Sequence, residues 1–206
     1  MASRNAPTDH PVHDLIVRRW SPSAFSDKSV PPADLQSLFE AARWAASSYN
    51  EQPWRYIVAT KEDRPAFARI LSCLVDGNQE WAQHVPVLAL GCYRLKFTKN
   101  GKPNGVALHD LGAASAQLTV EATARGLVVH QMAGILPDKA RVQYRIPDDF
   151  QPVTALAIGY AAEPETPPSQ APEPLRKRDA AARERKPLDQ FVFGDEWGKP
   201  AQVARG

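Results

Sequence analysis

The sequence predicts an α+β fold, on three observations. Apolar residues recur at three-to-four spacing in some segments and run continuously in others, which separates helices from strands. The two kinds of segment are mixed without strict alternation, unlike a doubly wound parallel fold. The chain has 206 residues, 22.7 kDa, 43% hydrophobic and 23% charged residues, enough for one compact domain with an arm.

Residues 11–19 read as a short helix in which His13, Leu15, Ile16 and Val17 precede two arginines. WSPSAFSDKSV follows as a loop. Pro31-Pro32 opens a helix with Asp34 in its first turn and Leu35, Leu38, Phe39 and Ala42 as its buried stripe, running out near Ala46. The loop 47–54 leads to a strand at Tyr56-Ile57-Val58-Ala59. Residues 62–74 form a helix with Phe67, Ile70, Leu71 and Leu74 on one side. Val85 to Tyr93 is apolar without alternation, as expected of a strand covered on both faces, and Pro86 fits only near its start. After the polar KFTKNGKPNG loop, residues 105–125 form the longest helix, with Leu108, Leu111, Ala114, Leu118 and Ala122 in register and Gly126 as its stop. Gly112 to Ala116 are all small, so something packs close to that helix. Leu127–Met132 is a strand, Pro137–Tyr144 a short helix and Val153–Tyr160 the last buried strand.

Composition excludes several functions. Lys and Arg total 25 and Asp and Glu 23, a net charge of +2 that draws in neither nucleic acid nor an anionic membrane. Cys73 and Cys92 cannot make a disulfide framework or a four-cysteine zinc site, and no metal site is expected. The first residues have no apolar core of a signal peptide, and the longest apolar run is too short to span a bilayer, so the expected location is cytoplasmic. PETPPSQAPEP is too proline-rich for a helix interior or a central strand. The expected organisation is a flexible N-terminus (1–9), a main domain (10–163), an extended connector (164–174) and a C-terminal arm (175–206).

Walker A, G-x-G-x-x-G, HExxH and G-x-S-x-G motifs are all missing. The polar groups instead gather at the ends of elements. They are Arg18-Arg19-Trp20-Ser21, the loop from Ser47 to Trp54, Gly77-Asn78 between two helical stretches, Met132-Ala133-Gly134, and Arg183 to Pro187. Arginine forks suit a phosphate, and amide side chains with small-residue backbones suit the edge of a planar polar ring. Each group also has a plainer reading. Arg18 and Arg19 are placed to cap a helix C-terminus. Ser47 and Ser48 are ordinary turn residues, and Gly-Asn is a common turn pair. Arg176 to Lys186, interrupted by Asp179 and Glu184, suits a solvated helix face. The tryptophans suit core or interface anchors, His84, His109 and His130 structural positions, and the two cysteines buried, inert ones.

Roughly residues 10–195 resemble the FMN-dependent nitroreductase family. Arg19-Trp20-Ser21-x-Ser23-x-Phe25 looks like its N-terminal motif, and Ala41-Ala42-Arg43-Trp44-Ala45-Ala46-Ser47-Ser48-x-Asn50-x-Gln52-Pro53-Trp54 like its second signature. Asn78 resembles its ring-contacting asparagine, Ala133-Gly134 its backbone pair near the flavin's reactive nitrogen, and Arg183-x-Arg185-x-Pro187 its C-terminal basic pair.

The resemblance implies a three-layer fold with a mixed central sheet flanked by helices and a domain-swapped C-terminal arm. It implies a homodimer with FMN at the subunit interface, the Ser47–Gln52 loop serving the partner's site. Cofactor contacts then fall on Arg18, Arg19, Trp20, Ser21, Ser47, Ser48, Asn50, Gln52, Asn78, Met132, Ala133, Gly134, Arg183 and Arg185, with the chemistry carried by FMN. The implied reaction is ping-pong: NADPH or NADH reduces the flavin, which reduces a small electrophile such as a nitroaromatic, a quinone or an unsaturated carbonyl. Dehalogenation, flavin breakdown and a non-catalytic flavin-binding dimer are the alternatives. Two positions depart from the family pattern. Ser23 stands where relatives carry Arg or Lys, which implies a lower flavin potential unless Arg18 or another cation substitutes. Ala46 stands where proline is common, which implies a looser turn.

Overall fold

The structure is a computed structural model that describes residues 5–162 and 171–204. Its elements, in chain order, are α1 (Asp14–Arg18), α2 (Pro32–Arg43), β1 (Trp54–Thr60), α3 (Arg64–Leu71), α4 (Asp76–Ala82), β2 (Val87–Arg94), α5 (Ala107–Ala124), β3 (Val128–Met132), α6 (Pro137–Tyr144), β4 (Phe150–Gly159) and α7 (Glu173–Ala180). Short 3₁₀ turns cover Ser48–Asn50, Leu188–Gln190 and Gln202–Ala204.

The class is α+β, in three layers. The strands lie in the order β1-β2-β4-β3. Alternate residues of β2 feed two separate cores. Leu88 and Leu90 pack with Phe25, Phe67, Ile70, Leu74 and Trp81 on one face. Val87 and Ala89 pack with Leu38, Ala42, Leu111 and Leu118 on the other. This explains the continuous apolar run of β2, since neither face meets water. Helices α3, α4 and α6 cover the first face, and α2 packed on α5 covers the second.

Several boundaries differ from expectation for physical reasons. The sheet is antiparallel at every described pairing rather than mixed, because the strands parallel to each other, β1 with β4 and β2 with β3, are never neighbours. The helix expected over 62–74 stops at Leu71. Asp63 caps its start by accepting from the Ala66 N–H at 3.1 Å, and beyond its end Leu74 leaves to bridge Ile135. Gly77 and Asn78 do not lie between helices but inside α4. That helix has few apolar residues and is held by buried Trp81 and Ala82. α5 ends as expected, with Gly126 at φ 73° one residue past the cap. In β4, Pro152 faces Cys92 at a register shift, where its missing N–H breaks no regular ladder.

Residues 1–4 and 164–170, parts of the expected flexible N-terminus and connector, lie outside the described residues. At the connector's end, Pro172 and Pro174 open α7, the position at which helices tolerate proline. At the other terminus, the Ala6 N–H donates to the Val17 carbonyl at 2.9 Å.

Candidate functional site

The arm returns to the start of the chain. Arg183 donates from Nη1 to the Val17 carbonyl at 3.0 Å and from Nη2 to the Arg19 carbonyl at 2.8 Å. These carbonyls belong to the end of α1, where helical partners run out. The capping expected of Arg18 and Arg19 is thus performed by Arg183. Arg18 turns back to Asp14, 2.5 Å away on its own helix, and so serves the helix surface.

Arg19 follows the cap, and its Nη1 donates to Ser21 Oγ at 3.3 Å. Arg19, Ser21, Arg183 and Arg185 line one cavity of about 310 Å³, with His130 from β3 and Arg178 from α7 completing the wall. Burial lowers the Arg19 pKa from its ordinary value, and the nearby charges of Arg183 and Arg185 lower it further. Arg183 is lowered by burial and by Arg185. The charges of Arg183 and Arg185 thus bear on Arg19, and that of Arg185 bears on Arg183.

Behind Arg178 and Asp179 of this wall lies Ser23, 1% exposed. Its N–H donates to Asp179 Oδ2 at 2.6 Å, and its Oγ accepts from Arg178 Nη2 at 2.5 Å. Arg178 and Asp179 also pair with each other at 2.9 Å. A cation from α7 therefore stands beside the serine that replaces the family's basic residue. Sequence reasoning missed it because Arg178 and Ser23 lie 155 positions apart.

A second group lies where β3 ends. Asn78 Nδ2 donates to the Gly134 carbonyl at 3.0 Å, and the Val75 N–H donates to the same oxygen at 3.1 Å. A Cβ on Gly134 would stand 2.6 Å from Asn78 Nδ2 and 2.8 Å from Val75 Cγ2, so these side chains fill the space beside the glycine and would have to shift to admit a methyl. Met132 is buried, its carbonyl accepting from Thr154 Oγ1 at 3.0 Å, while Ala133 is exposed. The two groups adjoin through His130, whose ring lies 4.7 Å from that of Trp81 on α4.

The third group is the loop before β1. Tyr49, Asn50 and Gln52 have φ of 53°, 54° and 50°, left-handed backbone in three non-glycine residues. The loop is held by its own polar groups and by Asp110 of α5. Ser47 Oγ accepts from the Gln52 N–H at 3.0 Å, the Ser48 N–H donates to Asp110 Oδ2 at 3.1 Å, and Gln52 Nε2 donates to Asn50 Oδ1 at 3.1 Å. This group is not brought to the other two. It precedes Trp54 on one sheet edge, whereas His130 lies on the opposite edge, level with Ala157, Leu88 and Ala59 at the far end of β1. With strands about 4.8 Å apart and about 3.4 Å per residue, the separation within one chain is roughly 20 Å.

Among the described residues, no group of His, Cys, Asp or Glu could hold a metal ion, and no helix is long and apolar enough to cross a membrane.

The family model for the Nitroreductase family matches residues 16–160. A solved structure described as an oxidoreductase containing FMN is 32% identical, with a TM-score of 0.86, covering 96% of this chain and 98% of that one. An uncharacterized 15.4 kDa protein of Mycolicibacterium smegmatis is 40% identical over 91 residues, 44% of this chain; the match spans 58% of that protein's length. The major NAD(P)H-flavin oxidoreductase of Aliivibrio fischeri is 48% identical over 50 residues, 24% of this chain and 23% of that protein.

Proposed function

Starting from the fact that this chain belongs to the Nitroreductase family and is an oxidoreductase, we propose that it is an FMN-dependent NAD(P)H oxidoreductase acting as a homodimer. The observation that carries the reading is the meeting of Arg19, Arg183 and Arg185 at one cavity. A phosphate dianion there relieves their mutual repulsion through charge-assisted hydrogen bonds. The donor set suits a planar ring system carrying a phosphate.

Bound FMN supplies the redox chemistry, taking a hydride from NADPH or NADH and passing electrons to a small electrophile such as a nitroaromatic or a quinone. The chain binds and orients. Arg19 and Arg185 neutralise the phosphate, and Ser21 adds a hydroxyl beside them. Asn78 has its Nδ2 committed to the Gly134 carbonyl, so Oδ1 remains to accept from a ring N–H. Ala133 and Gly134 offer backbone with little side chain to block an approaching donor.

The Ser47–Gln52 loop serves the site of a second copy. Its separation from the arginines of its own chain supports this, as does its polar network, which holds Ser48, Asn50 and Gln52 in one geometry before any ligand arrives. The arm's arginines serve the site lined by Arg19 of their own chain, where Arg183 holds the Val17 and Arg19 carbonyls. Cys73 and Cys92 are free and buried, which suits a reducing compartment, and we place the reaction in the cytoplasm.

The test is an absorbance spectrum of the purified protein followed by anaerobic addition of NADPH and then NADH. The expected result is a flavin spectrum that bleaches with at least one donor. A flavin spectrum that neither donor bleaches removes the reductase reaction and leaves a flavin-binding dimer. A colourless protein that FMN does not reconstitute overturns the reading.

A further inference from the structure

A groove away from the arginines carries an unpaired charge. It has a volume of about 780 Å³ and shares no lining residue with the arginine cavity. Its walls are the loop at Asp27 and Ser29, the turn that ends β1, and α3. Arg64, Phe67, Ala68 and Leu71 recur at three and four along α3, so one face of that helix lines the groove. The floor is apolar. Phe67 is 6% exposed, Leu71 packs on the same core, and Pro86 is buried just before β2.

Four charged side chains stand around this floor, and three of them are engaged. Asp27 Oδ1 lies 3.2 Å from Lys61 Nζ, which also donates to the His84 carbonyl at 3.4 Å. Glu62 accepts from the Ser29 hydroxyl, the chief reason its pKa lies below the ordinary carboxylate value, so it is ionised at pH 7. Asp63, beside Arg64 in sequence, gives a carboxylate oxygen to the Ala66 N–H as the helix cap. Arg64 is different. Among the described residues nothing accepts from it, pairs with it or stacks on it. It is also the first residue of α3, where the helix dipole disfavours a cation. The fold gains nothing from a charge at that place, whereas a bound anion would.

A guanidinium fork meets a carboxylate through two parallel hydrogen bonds, and the floor beside it takes an apolar body. The neighbouring carboxylates set the charge of the ligand. Arg64 matches one negative charge, and Asp27 and Glu62 oppose a second. We infer that this groove is a second ligand site, which takes apolar monocarboxylates with the carboxylate on Arg64 and the tail over Phe67 and Leu71. The inference does not depend on the flavin reading, because the two cavities have no residue in common.

The test is NMR titration of the 15N-labelled full chain at pH 7.5, with FMN in excess, using hexanoate, 1-hexanol, acetate and hexyl phosphate. Hexanoate is expected to move the amides of residues 61–71. It is expected to bind about 5- to 10-fold more tightly than 1-hexanol, the worth of one exposed charge-assisted contact. It is expected to exceed acetate by at least about 10-fold, because acetate leaves the floor bare. Hexyl phosphate, a dianion at this pH, is expected to bind the groove more weakly than hexanoate. Arg64→Gln changes an exposed residue and is expected to reduce hexanoate to the level of 1-hexanol. Ala68→Trp fills the groove from an exposed position and is expected to weaken both. Hexanoate binding no tighter than 1-hexanol, affinity unchanged in Arg64→Gln, or shifts confined to residues outside the groove overturns the inference. Tighter binding of hexyl phosphate than of hexanoate at α3 overturns the monocarboxylate class.

Discussion

Asp110, 3% exposed on α5, receives the Ser48 N–H on its Oδ2 at 3.1 Å, fastening the loop before β1 to the long helix. Its other oxygen faces His109 Nδ1 at 3.3 Å. A buried carboxylate that meets a backbone N–H does more than hold the chain. It keeps Tyr49, Asn50 and Gln52 in left-handed backbone that side chains resist. Asp110→Ala should lower unfolding free energy by about 2 kcal/mol, the worth of a hydrogen bond to a charged group. Asp110→Asn, which keeps an acceptor, should lose about half as much. Denaturant unfolding reads both, and Ser48 amide exchange should speed up in the alanine variant. Two variants as stable as wild type would show that the loop holds itself.

Gly134 and Asn78 should be coupled. Adding a methyl at Gly134 forces Asn78 Nδ2 and Val75 Cγ2 to move, so Gly134→Ala should cost about 1–3 kcal/mol. Asn78→Ala removes one of the two crowding groups as well as its bond to the Gly134 carbonyl. The double variant should therefore be less destabilised than the sum of the singles by at least 0.5 kcal/mol, the order of coupling between touching residues. Strict additivity in a double-mutant cycle would refute the contact.

The Ser23–Arg178 contact changes the expectation attached to Ser23. With a guanidinium already on the serine hydroxyl, Arg178→Ala should lower the flavin midpoint potential, by up to about 30 mV if the reduced state loses tenfold in stability. Ser23→Arg should raise it little, because Arg178 and Asp179 occupy the space. Potentiometric titration of the three proteins decides between them. A potential unchanged by Arg178→Ala, or raised well above wild type by Ser23→Arg, would return the tuning role to position 23.

His130 should make stability depend on pH. Its native pKa is lowered, chiefly by burial. The unfolded chain therefore takes up the proton first as pH falls. The stabilisation is fully present above the unfolded value of about 6.5 and is lost as pH falls from there through the native value. Urea midpoints between pH 8 and pH 5 should decline over that window, and His130→Gln should flatten the decline. A midpoint that rises on acidification contradicts the assignment.

What could be read from the sequence was local. The stripe Leu38–Ala42, the stop at Gly126 and the two buried faces of β2 follow from periods of 3.6 and 2 and from one glycine's freedom. The Ser47–Gln52 loop could be singled out because its polar residues are contiguous. What could not be read depends on distant partners. α4 has a polar sequence and is held by burial of Trp81 and by the Gly134 carbonyl. The division of labour between Arg18, Arg19 and Arg183 depends on which carbonyls α1 leaves free and on where the arm lands. His130 read from the sequence as a structural histidine. Its place on the cavity wall comes from Pro22, 108 positions away, and from the arginines of the arm, which no local pattern connects to it.

The grip of Arg183 on the carbonyls of Val17 and Arg19 spans 166 and 164 positions. Closing so large a loop is slow, and during synthesis it cannot begin until the arm has left the ribosome. The sheet and its two cores, built from residues up to Gly159, can therefore consolidate first, with the arginine cavity assembled last. A chain cut short before residue 183 would keep the residues of its two cores and lack the arginine cavity, so the cavity marks a chain whose translation ran through the arm.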